Sequence, residues 1–445
     1  MKYIDGHQVL GLLGRGGTSR VYKVRREYGP VRALKLFDPR SELEALQGRE
    51  ELLARFLDEA HRLAGLKHPN LVRVLAVHED DPAYYLMEHF CLNLAELAGE
   101  GPRLEDLSRA LGLDQVIAYG QESLAALEAL HLAGLVHGDI KPSNLMLGDE
   151  GWVRLGDLGL SHRRGESLAG PANLVLGSPA YAAPEQESDP LSAGPRADLY
   201  SMGVSLFRLL TGALPQEGGP AASSLAPLTD AAWDDFFSRA MASDPQGRFA
   251  SAKEMAQALE GLSVQWERRR EAVCAAWPEL AASQAHTVSN SVRRSEPIRV
   301  SLTEARRALG LDELMRPQAW PPRRLREDEP GVARDLDTGL LWQRGCSPQP
   351  LTWDQAPAYV RALNLRRLGG RGDWRLPTAP ELISLLEPPQ GPDGFCGPAL
   401  LDSLAQRLWS ADWATPLTAW YVSLDGGYVG RADRDCFFMV RAVAG

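Results

Sequence analysis

Apolar and polar positions change period several times along the chain, and each change marks an element. Residues 9–13 form a short apolar run that predicts a strand. Val31-Arg32-Ala33-Leu34-Lys35-Leu36-Phe37 alternates, which predicts a second strand with Lys35 among apolar neighbours. Over residues 50–66, Phe56, Leu57, Ala60, Leu63 and Ala64 recur at helical spacing and make one apolar stripe. Residues 71–77 and 83–88 predict two more strands, which complete a small sheet. Residues 114–133 carry a long amphipathic helical pattern that Gly134 ends, and another apolar helix ends near Gly212. Residues 251–259 predict a helix with Ser251 as cap and Glu254 at capping-box spacing. Residues 266–282 and 301–309 predict further helices. The charged, proline-rich stretch 317–330 predicts a linker or an extended wrap around the next domain. From residue 331 the pattern becomes two helices and several short, tryptophan-rich strands, a small mixed fold.

Size and charge narrow this picture. The chain has 445 residues, enough for two or three domains. Acidic residues outnumber basic ones, 58 to 48, so nothing draws the whole chain toward nucleic acid or anionic membranes. Arg268-Arg269-Arg270 reads as a solvated helix face. No apolar run approaches the roughly 20 residues of a membrane helix, and the first residues lack a signal-peptide pattern. Cys91, Cys274, Cys346, Cys396 and Cys436 have neither zinc-site nor redox-pair spacing. A cytoplasmic, reduced protein is the simplest expectation. Seven of the eleven tryptophans follow residue 300, so the last part of the chain has its own aromatic core.

The candidate chemistry lies in His137-Gly138-Asp139-Ile140-Lys141-Pro142-Ser143-Asn144 and in Asp157-Leu158-Gly159 after it. Phosphoryl transfer needs a carboxylate for the incoming hydroxyl, an amide to hold metal and a second carboxylate on that metal. Asp139, Asn144 and Asp157 supply those three, and Lys141 is placed to steady the transferred phosphate. Gly14-Arg15-Gly16 lets backbone amides approach a phosphate, although a plain hairpin turn reads the same way. Lys35 reads either as a phosphate ligand or as a snorkelling structural lysine.

Taken in order, these residues resemble the protein kinases, of the bacterial serine/threonine type. The glycine-rich loop, Ala33-x-Lys35, the catalytic loop, Gly177-Ser178-Pro179 to Ala183-Pro184-Glu185, Asp198 and Arg248 all fall at family spacing. The resemblance implies a two-lobed α+β fold over residues 1–262, with a β-rich lobe and hinge at 1–90 and a helical lobe at 91–262. It implies ATP held by Gly14, Gly16, Val21, Lys35, Glu88 and Phe90, with Met87 as gatekeeper. It implies Mg²⁺, or Mn²⁺, on Asn144 and Asp157, a Lys35–Glu59 ion pair, and Asp139 and Lys141 at the transferred phosphate. Asp198 would brace the catalytic loop, and Arg248 would pair with Glu185. The partner would be a protein presenting serine or threonine, in a signalling role. Three departures stand out: Ser19 for the third glycine, Gly138 for arginine, and Leu158 for phenylalanine. With Gly138, phosphorylation at Ser161, Ser167 or Ser178 has less to organise it. The same three motivate the alternative of a nucleotide-binding pseudokinase scaffold.

Residues 331–445 resemble the Lcl C-terminal (DUF1566-like) domain, on Trp374-Arg375-Leu376-Pro377-Thr378 and Glu381-Leu382. That resemblance implies a C-type-lectin-like α+β fold, related to formylglycine-generating enzymes, that binds a ligand or protein through its loops. Residues 263–330 would be a helical connector and proline-rich linker. Cys396 and Cys436 lack an oxidase pattern, and Asp393, Asp402, Asp425, Asp433 and Asp435 read as acidic turns rather than a calcium site.

Overall fold

The computed structural model describes residues 3–101, 103–157, 162–163, 179–188, 194–282, 294–320, 324–389, 394–401 and 406–445. Leu158, Ser161, Ser167, Gly177, Ser178, Asp393 and Asp402 lie outside the described residues. The chain forms two compact units. The first is Met1–Leu97, Ile117–Leu209 and Ala213–Leu262; the second is Ala98–Val116, Leu210–Gly212 and Ser263–Gly445.

The first unit is a two-lobed α+β structure. Its β-rich lobe is one antiparallel sheet in the order Tyr3–Ile4, His7–Arg15, Ser19–Arg25, Val31–Phe37, Tyr84–Met87, Val74–His78. The helix Arg49–Gly65 lays Leu52, Phe56, Ala60 and Leu63 against it, where they meet Phe37, Val74 and Tyr85. Glu50 and Glu51 lie in the first turn, where negative charge favours the helix dipole. The helical lobe includes the helices Leu113–Leu132, Pro195–Thr211 and Ala231–Ala240 and the start of Ala252–Ala282, whose residues from Ser263 on belong to the second unit. Gly120 permits close helix packing, since a Cβ there would sit 2.7 Å from Leu259 and 3.2 Å from Leu206.

The end of that lobe differs from expectation in one respect. The sequence pattern predicts two separate helices over 251–259 and 266–282, but one helix of 31 residues runs through Ala252–Ala282. Ser251 caps it as expected, accepting the Glu254 N–H at 3.1 Å. Gly261 and Ser263 read as a break. The apolar stripe nevertheless continues through Leu259, Leu262 and Trp266, all buried, and that burial outweighs the roughly 1 kcal/mol a helical glycine costs.

The second unit is α+β. Four strands, Leu325–Glu329, Val332–Asp335, Leu341–Gln343 and Val443–Ala444, make one sheet. Arg407–Thr415, Thr418–Ser423 and Tyr428–Asp433 make another. The stretch expected as linker or wrap thus supplies an edge strand, paired antiparallel with Val332–Asp335. Trp342, Trp420, Leu382, Leu386 and Val422 share the core. Cys396 is buried in the same core and donates to the Gly394 carbonyl.

Two buried charge clusters fasten this core. Asp412, with no exposed side-chain surface, accepts Arg294 Nη1 and Nη2 at 2.7 and 2.8 Å. It also accepts the backbone N–H groups of Ile298 at 2.8 Å and Ala379 at 2.7 Å. Arg375 meets Glu381 with two parallel bonds of 2.8 and 2.6 Å, while Thr378 and Glu381 close a capping box on the helix Ala379–Ile383. The tryptophan-to-glutamate motif is therefore a structural clasp. Removing one partner of a buried pair leaves the other charge desolvated. Asp412→Ala is expected to lower stability by about 3–5 kcal/mol in urea denaturation. A loss below about 1 kcal/mol, the level of a surface pair, would show that Asp412 is not the fastening point.

Candidate functional site

Sheet register assembles the first half of the site. Gly14 lies opposite Val21, Val21 opposite Lys35, and Lys35 opposite Tyr85, a single row across four strands. Cross-strand neighbours in one row share a face. Gly16 N–H donates to the Ser19 carbonyl at 2.8 Å and closes the turn between the first two of these strands. A Cβ on Gly14 would meet nothing within 4 Å, and one on Gly16 only Ser19 atoms at 3.7 and 3.8 Å. Packing does not require glycine at either place, so the bare backbone leaves room for a ligand there. Ser19, the first departure, is an ordinary buried residue at the start of the strand Ser19–Arg25, paired with Phe37.

Lys35 is 6% exposed, and its Nζ donates to Glu59 Oε1 at 2.9 Å. Burial alone would pull its pKa down, but Glu59 and, to a lesser degree, Tyr85 and Asp157 hold it well above the usual lysine value. Tyr85 is the residue that sequence reading missed. Its hydroxyl donates to the same Glu59 oxygen at 2.9 Å, and burial keeps the phenol protonated. The signal that would have found it is the strand register opposite Lys35, which a single sequence does not display.

The second half is the loop after Leu135–Val136. Asp198 is fully buried beneath it and accepts the N–H groups of His137 at 2.9 Å and Gly138 at 2.8 Å. His131 Nε2 adds a contact of 2.8 Å to the same carboxylate. Burial pushes the Asp198 carboxyl up, but the His131 bond and the backbone N–H outweigh it and hold the carboxyl below its usual range. Gly138 has φ +79°, which glycine adopts without cost. The His137 ring lies 3.1 Å from the Gly156 carbonyl and so ties the loop to the segment that delivers Asp157.

Asp139 Oδ2 accepts Lys141 Nζ at 2.7 Å and Asn144 Nδ2 at 3.2 Å. Asn144 Nδ2 also donates to the Asp139 backbone carbonyl at 2.7 Å. The amide nitrogen is thereby committed to Asp139, which leaves the Asn144 Oδ1 end as the one suited to a hard cation. Asp157 is half exposed, stands 4.0 Å from Lys35 Nζ, and holds φ +54°, a left-handed conformation uncommon for aspartate. Strain of this kind persists where the surroundings impose it and points to function. The oxygen donors Asn144 and Asp157 fit Mg²⁺, which binds through one or two protein oxygens together with phosphate and water.

At the hinge, Glu88 N–H donates to the Arg73 carbonyl at 3.2 Å. The Glu88 carboxylate accepts Arg154 Nη1 at 2.6 Å, and the Arg154 guanidinium lies 5.6 Å from the centre of the Phe90 ring. The Glu88 side chain is thus built into the protein. Arg248 meets Glu185 with two bonds of 2.7 Å and has no exposed side-chain surface, as the sequence implied. Among the described residues, no group of three or more His, Cys, Asp or Glu could hold a metal ion. None of the described helices is long and apolar enough to cross a membrane.

Two outcomes are expected from these bonds. Tyr85→Phe removes a hydrogen bond to a charged carboxylate, so stability should fall by about 1.5–3 kcal/mol in urea denaturation; an unchanged midpoint would remove Tyr85 from the cluster. The depressed Asp198 carboxyl stabilises the fold above its unfolded value, about 3.9, and that contribution is lost as pH falls through the folded value. Asp198→Asn should therefore destabilise at neutral pH, with the gap to wild type narrowing below about pH 4. A gap independent of pH would contradict the assignment.

Comparisons with known proteins bear on the family of the chain. The family model "Protein kinase domain" matches residues 7–258, and "Lcl C-terminal domain" matches residues 331–444. A probable serine/threonine-protein kinase of Clostridium perfringens is 32% identical over 273 residues, 57% of this chain and 38% of its own length. The serine/threonine-protein kinase PknJ of Mycobacterium tuberculosis is 35% identical over 278 residues, 57% of this chain and 44% of its own. The chain thus spans less than half the length of these two curated relatives. The solved PknI kinase domain of Mycobacterium tuberculosis is 27% identical, with a TM-score of 0.43, and covers 58% of this chain and 96% of its own. The family match takes in more than half of the 445 residues, and the chain belongs to the protein kinase family.

Proposed function

We propose that this chain is an ATP-dependent protein serine/threonine kinase with a C-terminal recognition domain. The observation that carries the reading is the conjunction of a formed Lys35–Glu59 pair with the Asp139–Lys141–Asn144 cluster and Asp157. Lys35, oriented by Glu59 and Tyr85, would hold the α- and β-phosphates of ATP. Gly14 and Gly16 would admit the phosphates to the backbone, Val21 would pack over the base, and the Glu88 and Phe90 backbones would bind its edge. Asn144 and Asp157 would hold Mg²⁺, which supplies charge neutralisation on the phosphates when bound. Asp139 would accept the proton of the incoming serine or threonine hydroxyl, and Lys141 would offset charge on the phosphate in flight. Asp198 keeps Asp139 in place through the backbone of His137 and Gly138.

Two of the three departures do not favour the scaffold reading. Ser19 lies in an ordinary strand, and Gly138 N–H makes its bond to Asp198. Gly138 leaves an activation-segment phosphate without its customary arginine, so activity is inferred to need little phosphorylation there. For residues 331–445 we infer a C-type-lectin-like fold that presents loops to a ligand or protein, which the match to the Lcl family supports.

Purified chain incubated with Mg-ATP and a serine/threonine peptide should yield phosphate-sized mass increments. Asp139→Asn should lower transfer by at least about a hundredfold, the usual scale for a lost general base, with ATP still stabilising the fold. Full-rate transfer by that variant would overturn the role of Asp139. ATP binding with no transfer by the wild type would favour the scaffold. Removal of residues 331–445 should leave generic-peptide transfer within about tenfold and abolish the enrichment of particular proteins among those labelled in a cell extract. Unchanged enrichment would remove the recognition role.

A further inference from the structure

The second unit contains a buried arginine in a prepared setting. Arg109 is 5% exposed. Its guanidinium lies 3.9 Å from the centre of the Tyr428 ring, and Nη1 donates to the Leu314 carbonyl at 2.8 Å. Gly99, at φ +67°, lies against it so closely that a Cβ there would be 2.4 Å from Nη1. Burial, and to a lesser degree the neighbouring Arg316, lower the pKa of the guanidinium, while Tyr428, Tyr421 and Asp312 offset part of that cost. A planar cation over an aromatic face with a carbonyl at its edge is how arginine is recognised.

The receiving side is held in shape by its own bonds. Asp312 Oδ1 accepts the N–H groups of Leu314 and Arg316, both at 2.8 Å, and so fixes the turn that presents the Leu314 carbonyl. Met315 in that turn has φ +60°, a strained value for a non-glycine residue, and its carbonyl accepts the Val429 N–H at 2.9 Å. The Tyr428 hydroxyl meets that of Tyr421 at 3.3 Å, which sets the ring. The arriving side is the segment Ala98–Val116, which also gives Gln115 Nε2 to Asp425 Oδ2 at 2.6 Å and Asp114 Oδ1 to Trp266 Nε1 at 2.6 Å.

We propose that Tyr428 and the Leu314 carbonyl form a recognition cradle for an arginine-bearing peptide segment, and that Arg109 fills it as a ligand from the same chain. This rests on the reading of the C-terminal domain as a recognition module, which the labelling experiment above tests by a separate readout. An arginine segment from a partner would have to displace Arg109, so the cradle is self-occupied until such a segment arrives.

The test uses the full chain. Arg109→Ala should melt at lower temperature than wild type, with a circular-dichroism spectrum that shows it folded. Millimolar ethylguanidinium should restore part of the loss, and ethylammonium at the same concentration should not. A fluorescent synthetic peptide of residues 98–116 should bind Arg109→Ala at least tenfold more tightly than wild type. Adding Tyr428→Ala should abolish that binding. Equal effects of the two cations, or equal peptide binding by wild type and Arg109→Ala, would overturn the proposal. So would absence of peptide binding to the folded variant. If Arg109→Ala does not fold, Arg109→Lys keeps the stem and charge without the planar fork, and the same peptide titration decides.

Discussion

The catalytic geometry depends on one buried charge pair. Lys35 sits within an apolar strand and could not remain charged there alone, because an isolated buried ammonium is strongly disfavoured. Glu59 removes that cost only if the helix Arg49–Gly65 lies against the sheet at the right height. Phe56 and Leu52 set that height by packing on Phe37 and Tyr85, and Tyr85 then adds its hydroxyl to the carboxylate. Packing and charge thus specify one arrangement together. A helix displaced by one turn would still face the sheet with its apolar stripe but would carry Glu59 about 5 Å from its place beside Lys35.

Asp198 plays the matching part under the loop. It is a fully buried carboxylate surrounded by donors, two of them backbone N–H groups of His137 and Gly138. The loop has little regular structure of its own, so its shape comes from this anchor and from the His137 contact to the Gly156 carbonyl. Asp139 and the buried Asn144 are then held by bonds to one another.

Much of this was legible in the sequence because it is local. Asp139, Lys141 and Asn144 lie within six residues, so any fold that orders the loop brings them together. Lys35 and Glu59 were legible for a different reason: the resemblance to the protein kinases implies their pairing, and each sits in an element with a clear period. Tyr85 was not, because its partner depends on which residue of one strand faces which of another. The continuous helix Ala252–Ala282 was missed because Gly261 and Ser263 carry the local signals of a break, and the burial of Leu262 and Trp266 overrides them. The edge strand Leu325–Glu329 has an exposed, charged sequence and takes its structure from the ladder to Val332–Asp335. Propensity alone does not reveal a strand of that kind.

The C-terminal domain shows why a motif can fix fold and leave function open. Arg375, Thr378 and Glu381 are the part of this domain that the sequence singles out, and all three are engaged with one another. Glu381 is buried, caps a helix and neutralises Arg375, so both groups are committed to the fold. Asp412 neutralises Arg294 beside the same helix start, and nothing in the spacing of those two residues announces the pair. A charged cluster recognisable in sequence is recognisable because the fold cannot vary it. Residues that meet a ligand are free of that constraint and carry no comparable signature. In the kinase unit the two coincide under the roles proposed for Asp139, Asn144 and Asp157. In the C-terminal domain they separate, and its recognition surface has to be sought away from the motif that identifies it.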